Sequence, residues 1–125
     1  MKYRLIHKEY PNIIDLSDES TLELTAVSSA IITDYSSVIF DACLLDVPCV
    51  FYCPDYKNYE RGFYLNFPED LPGELTTEAD SILSTVRKAV ASPDTEKAES
   101  FKAHQLSACD GHSTQRVAEI IKKWL

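Results

Sequence analysis

Ala30-Ile31-Ile32-Thr33-Asp34-Tyr35-Ser36-Ser37-Val38-Ile39-Phe40 changes its hydrophobic pattern half-way along. Ala30, Ile31 and Ile32 spell a short buried strand; Val38, Ile39 and Phe40, followed by Ala42, Leu44 and Leu45, spell an apolar helix. The turn between them holds hydroxyls and one carboxylate. In an open parallel sheet, ligands lie outside the carboxyl ends of the strands, where the next helix begins with unpaired amides that favour an anion. Ser36 and Ser37 would add two hydroxyl donors at the place where a diphosphate could lie. A purely structural role competes with this one: Asp34 is a good N-cap, with Ser37 at the third helical position.

Outward from this stretch the pattern continues. Downstream, Leu45-Asp46-Val47-Pro48 ends the helix, because Pro48 cannot continue it and biases Val47 towards extended geometry. Cys49-Val50-Phe51-Tyr52-Cys53 is then an apolar strand. Upstream, Ser20 and Glu23 form a capping box for a helix with Leu22, Leu24, Ala26 and Val27 as its apolar positions. Before it, Asn12-Ile13-Ile14-Asp15-Leu16 is predicted to be a strand, with Ser17-Asp18-Glu19-Ser20 as a polar turn. Strands alternating with helices predict an α/β domain with a Rossmann-like parallel sheet and flanking helices. Residues 1–11 are mixed and basic and fit either a helix end or a ragged start.

Beyond the second apolar strand lies an aromatic loop, Pro54 to Tyr64, with Phe67 close behind. Tyr56, Tyr59, Phe63, Tyr64 and Phe67 are expected mainly to cover the core. Thr77 to Ala91 is predicted as an amphipathic helix capped by Thr77, with Ile82, Leu83, Val86, Ala89 and Val90 in one stripe. Ser92-Pro93-Asp94 breaks it. Thr95 to Ala108 is a more polar helix with Phe101 as its anchor. After the turn Cys109-Asp110-Gly111-His112-Ser113 comes a last helix, Thr114 to Leu125, with Val117, Ile120, Ile121 and Trp124 at spacings of three and four.

A chain of 125 residues fits a single α/β domain, 1–125. Its 20 acidic against 12 basic side chains give a net charge of −8, which argues against sequence-independent nucleic-acid binding. No apolar run reaches the length of a membrane span and Met1-Lys2-Tyr3-Arg4 does not open a signal peptide, so a cytoplasmic protein is expected. Cys43, Cys49, Cys53 and Cys109 match no zinc spacing; the first three are expected as buried free thiols. With only Gly62, Gly73 and Gly111, neither a dinucleotide fingerprint nor a Walker loop can be written.

Three separated motifs resemble one family. Ile32-Thr33-Asp34-Tyr35-Ser36-Ser37-Val38-Ile39-Phe40-Asp41 with Leu45-Asp46-Val47-Pro48 and Phe51-Tyr52-Cys53-Pro54-Asp55, then Arg61-Gly62-Phe63-Tyr64, then Glu69-Asp70-Leu71-Pro72-Gly73, are similar in order and separation to the carboxy-terminal part of the CDP-glycerol glycerophosphotransferases. Those enzymes build the poly(glycerol phosphate) chains of teichoic acids. Asp110-Gly111-His112-Ser113 and Arg116 extend the resemblance into the last helix, which in that family closes the domain.

The resemblance implies a two-domain GT-B transferase of which this chain is the donor-binding, carboxy-terminal part. The implied reaction is attack by an acceptor glycerol hydroxyl on the β-phosphorus of CDP-glycerol, with CMP leaving. On that basis Ser36 and Ser37 are expected at the donor phosphates, and Asp41, one turn on, at a hydroxyl of glycerol or ribose; Thr33 and Asp34 complete the set. Asp34 repels a diphosphate, so turn capping is its first assignment. No metal site and no cofactor are expected. The family's two histidine motifs, of Trp-His-Gly and Arg-Pro-His-Pro type, are not written here; His7, His104 and His112 do not match them, and no catalytic residue is assigned. The chain is therefore expected to be inactive alone, as a fragment or truncated frame. Its expected partners are the CDP-glycerol donor, a polyol-phosphate or glycan-lipid acceptor, the missing amino-terminal half and, through an uncovered apolar face, a second copy. The parent enzyme would work at the inner face of the membrane. Two alternatives remain: the nucleotide-sugar half of a GT-B glycosyltransferase, and a non-catalytic receiver-like domain with Asp34 as phosphate acceptor, which lacks the acidic pair at a neighbouring strand end.

Overall fold

The computed structural model describes residues 10, 12–59 and 65–125. In chain order the elements are α1 (Thr21–Val27), β1 (Ile31–Thr33), α2 (Val38–Leu44), β2 (Cys49–Tyr52), a 3-10 turn (Tyr56–Asn58), β3 (Gly73–Thr76), a second 3-10 turn (Ala79–Ser81), α3 (Ile82–Ala91), α4 (Thr95–Gln105) and α5 (Ser113–Lys122). The three strands form one parallel sheet in the order β1-β2-β3, with Ile31 opposite Cys49 and Cys49 opposite Gly73. The expected parallel α/β architecture is present.

Alternation along the central strand assigns the two faces. Cys49, Phe51 and Cys53 join Ile39, Ala42 and Cys43 of the α2 segment, Leu71 and Phe101 in one buried cluster. Val50, fully buried, points the other way, as the two-residue period of a strand requires, to the side on which α3 lies along β2 and β3. A strand covered on both sides is continuously apolar, which is what its sequence shows. The thiols of Cys43, Cys49 and Cys53 are buried and unbridged, as expected, and Cys109 is exposed.

Local chemistry sets the element ends. Ser20 caps α1, its hydroxyl accepting from the Glu23 amide at 3.4 Å. α2 ends in a left-handed residue, Asp46 at φ 57°, and Val47 N–H reaches back to the Ala42 carbonyl at 2.9 Å before Pro48 turns the chain into β2. Asp46 is also the ion-pair partner of Lys102 on α4, which holds Glu99 at 3.0 Å as well. Asp94 caps α4 by accepting from the Lys97 amide at 3.1 Å.

Four expectations are corrected. Residues 12–16 are not a strand: Ile13, Ile14 and Leu16 are exposed, and the Asp15 carboxylate accepts from the Ser17 amide at 3.1 Å, folding the segment into turns. β3 occupies Gly73–Thr76, between the end of a loop motif at Gly73 and the helix expected from Thr77, where no strand is expected. A glycine and a glutamate carry little strand propensity. The reason for the glycine is geometric, since a Cβ on Gly73 would lie 2.1 Å from the Cys49 carbonyl oxygen. Thr77 consequently caps no helix: Thr76 Oγ1 accepts from the Glu78 amide at 3.2 Å, and α3 starts only after the 3-10 turn. Finally, α5 does not close this domain. Val117, Ile120, Ile121 and Trp124 are all exposed. Residues 1–9, Pro11 and the segment 60–64, which includes the Arg61-Gly62-Phe63-Tyr64 motif, lie outside the described residues.

Candidate functional site

The loops that leave β1 and β2 stand side by side, because the two strands are hydrogen-bonded neighbours running in the same direction. They enclose an open cavity of about 770 Å³ lined by Asp34, Tyr35 and Ser36 from the first loop and by Tyr52, Pro54, Asp55 and Tyr59 from the second. This is the carboxyl edge of the sheet, where ligands of open α/β domains lie.

The first wall is the turn quoted at the outset. Thr33 ends β1 and Ser37 is the N-cap of α2. Ser36 Oγ accepts from the Val38 amide at 3.4 Å, and Ser37 makes no capping bond with its own side chain. Asp34, expected as the cap, stands three residues ahead of that position and does not fill it. Asp34 and Ser36 line the cavity; Thr33 and Ser37 bracket them in sequence; Asp41 is exposed on α2 and is not among the lining residues.

The second wall supplies what the sequence did not single out. Tyr35 O–H donates to Asp55 Oδ1 at 2.7 Å, linking one loop to the other. The Tyr35 ring stacks on Tyr59, with centroids 3.8 Å apart and planes at 27°, and leans on Phe67 at 5.8 Å. Burial first, and then the hydrogen bond to Asp55, push the Tyr35 phenol well above its ordinary range, so it stays protonated. Burial, helped by the negative charge of Asp34, pushes the Cys53 thiol at the end of β2 up to about 11. Tyr59 was expected only as core cover and Asp55 only as part of a motif. The signal available was their place directly after an apolar strand, where loops carry function.

The remaining candidates are elsewhere. His104 and His112 are exposed; His104 Nδ1 lies 2.7 Å from the Ser100 carbonyl. Asp70 accepts from the Asn66 amide and side chain at 3.1 Å each, shaping the loop that enters β3. Among the described residues no cluster of three metal-ligating side chains occurs.

The model of one family, "CDP-Glycerol:Poly(glycerophosphate) glycerophosphotransferase", matches residues 2–123. The chain belongs to that family. A teichoic acid ribitol-phosphate primase from Bacillus spizizenii is 39% identical over 116 residues, covering 90% of this chain and 30% of the relative. A teichoic acid poly(glycerol phosphate) polymerase from Staphylococcus epidermidis is 35% identical over 116 residues, or 88% of this chain and 16% of that protein. Among solved structures, the wall teichoic acid polymerase TagF superposes with a TM-score of 0.71 at 34% identity, covering 94% of this chain and 30% of TagF. The chain thus spans less than a third of the length of these relatives. Their kinship carries the transferase family and the fold to this chain.

Proposed function

We propose that this chain forms the donor-binding part of a glycerophosphotransferase, and that CDP-glycerol lies in the cavity at the carboxyl edge of β1 and β2. The observation that carries the proposal is that the motif resembling the family's, Ile32 to Asp41, contributes Asp34, Tyr35 and Ser36 to that cavity. The Ser36 and Ser37 hydroxyls donate to the diphosphate. Asp34 and Asp55 cannot sit beside phosphate without repulsion, so they face the hydroxyl-bearing ends of the donor, where carboxylates accept hydrogen bonds. Asp41 reaches the donor only if its glycerol or ribose end runs along α2, and Thr33 supports the turn from the strand end. Phosphoryl transfer of this kind rests on positioning and on stabilising charge at the phosphoryl oxygens. The acceptor hydroxyl would attack the β-phosphorus and CMP would leave. No histidine is among the described residues that line the cavity, and a base to receive the acceptor proton is assigned to the rest of a longer enzyme.

The same proposal gives the other partners: a polyol-phosphate or glycan-lipid acceptor, and an amino-terminal half or a second copy covering the apolar stripe of α5. No helix among the described residues is long and apolar enough to cross a membrane. Work at the inner membrane face is part of the same proposal for the longer enzyme. The kinship with a ribitol-phosphate primase favours a second possibility for the donor, a CDP-linked ribitol.

Titration of the 15N-labelled chain with CDP-glycerol, CDP-ribitol and a UDP-sugar tests this. CDP-glycerol is expected to move the amides of Asp34 to Val38 and to bind most tightly. Removing both serine hydroxyls together is expected to weaken binding at least about tenfold, since a hydrogen bond to a charged group contributes roughly 1.5–3 kcal/mol. Unchanged affinity after Ser36→Ala/Ser37→Ala, or preference for the UDP-sugar, overturns the proposal. CMP release by this chain alone would overturn the assignment of the base to another part.

A further inference from the structure

The cavity has two walls on separate loops, and one side chain spans them. Tyr35 lies between Asp34 and Ser36 on the first loop, yet its hydroxyl is bonded to Asp55 on the second at 2.7 Å, and its ring is stacked on Tyr59. We propose that Tyr35 is a positioning residue: clamped by Asp55 and Tyr59, it fixes the orientation of the Ser36–Ser37 turn for the diphosphate of the donor. This rests on the donor-binding role proposed above and adds a residue that touches no phosphate itself.

The physical case runs through the backbone. A three-residue strand gives the turn little support of its own, and Ser36 and Ser37 are exposed. Hydroxyl donors help a phosphate only where their geometry is fixed before the ligand arrives, because ordering a loop on binding subtracts from affinity. The clamp supplies that order from the side chain next to Ser36. A phenol that stays protonated keeps donating to Asp55 across the neutral range, and by occupying Oδ1 it also turns part of that carboxylate away from the anion. The stack on Tyr59 adds roughly 0.5–1.5 kcal/mol beyond burial and fixes the plane of the ring.

Two substitutions and a double-mutant cycle test it, read by amide shifts on titration with CDP-glycerol. Tyr35→Phe keeps the stack and removes the clamp; the dissociation constant is expected to rise about tenfold, the order of one hydrogen bond. Asp55→Ala removes the acceptor of the clamp together with the contact proposed for the donor hydroxyls, and should lose at least as much as Tyr35→Phe; a smaller loss overturns the inference. In a Ser36→Ala/Ser37→Ala background, Tyr35→Phe should cost nothing further, because residues acting as one unit are not additive. Equal affinity of Tyr35→Phe and the parent overturns the inference and leaves the donor role standing. The same loss with and without the serines shows a general structural effect and overturns it too. Absence of any CDP-glycerol binding by the parent chain removes the donor role, and this inference with it.

Discussion

α4 and α5 are helices of nearly equal length, and their sequences promise the opposite of what they do. α4, Thr95–Gln105, is mostly polar, yet Phe101 is 3% exposed, sits in the main core and lies 5.5 Å from the ring of Phe40. α5, Ser113–Lys122, carries an apolar stripe at helical spacing, and its Val117, Ile120 and Ile121 are each more than half exposed. Periodicity states which face a helix could bury. Whether it does so depends on a partner surface, and among the described residues that surface covers the one aromatic ring and leaves the stripe exposed. What fixes α5 instead is polar: Arg116 binds both carboxylate oxygens of Asp110 at 2.8 Å and the Ala108 carbonyl at 2.6 Å. That pairing holds the Asp110 carboxyl below its usual range.

The contrast is sharpest in stability. Phe101→Ala is expected to cost about 3–5 kcal/mol, the range for removing a buried aromatic ring, read as a fall in the urea midpoint. A loss below about 1 kcal/mol would mean that α4 is no better anchored than α5. The Lys102 contacts come next. Its ammonium, held by Asp46 and Glu99, keeps its proton to a higher pH than an ordinary lysine, whose value is 10.5. A group raised in this way stabilises fully below its unfolded value and loses the effect as pH climbs through the folded one. Lys102→Met should therefore cost under about 1 kcal/mol at neutral pH, with the deficit vanishing at high pH in paired melts. A deficit that grew with pH would contradict the assignment. The smallest effect belongs to α5: Ile121→Ser is expected within about 0.5 kcal/mol of the parent. A loss approaching that of Phe101→Ala would reveal a covered stripe, and sedimentation of the same variant would show whether a second copy covers it.

Much of the fold could be read from period and punctuation, and the failures have a common cause. The stretch from Ala30 to Tyr52 is legible because strand, turn, helix, Pro48 and the second strand each announce themselves locally. Asn12 to Leu16 looks like a strand, but a strand needs a neighbour, and the sheet among the described residues stops at β1. Gly73 to Thr76 does not look like one, and tertiary context overrode its propensity. At the cavity the same division holds. Asp34 and Ser36 were visible in a local motif, whereas Tyr52, Asp55 and Tyr59 belong to the cavity only because β1 and β2 are adjacent in space. Tyr35 was hidden in plain view, since nothing in its own sequence neighbours tells where its hydroxyl goes.

The absent Cβ of Gly73 has a consequence for how this domain can diverge. Its place would fall almost on top of the Cys49 carbonyl oxygen, so any other residue must wedge the second and third strands apart at their amino ends. The loops at the opposite edge can exchange side chains and so change the ligand they hold. This position has a vocabulary of one letter, and the freedom of one end of the sheet stands on the fixity of the other.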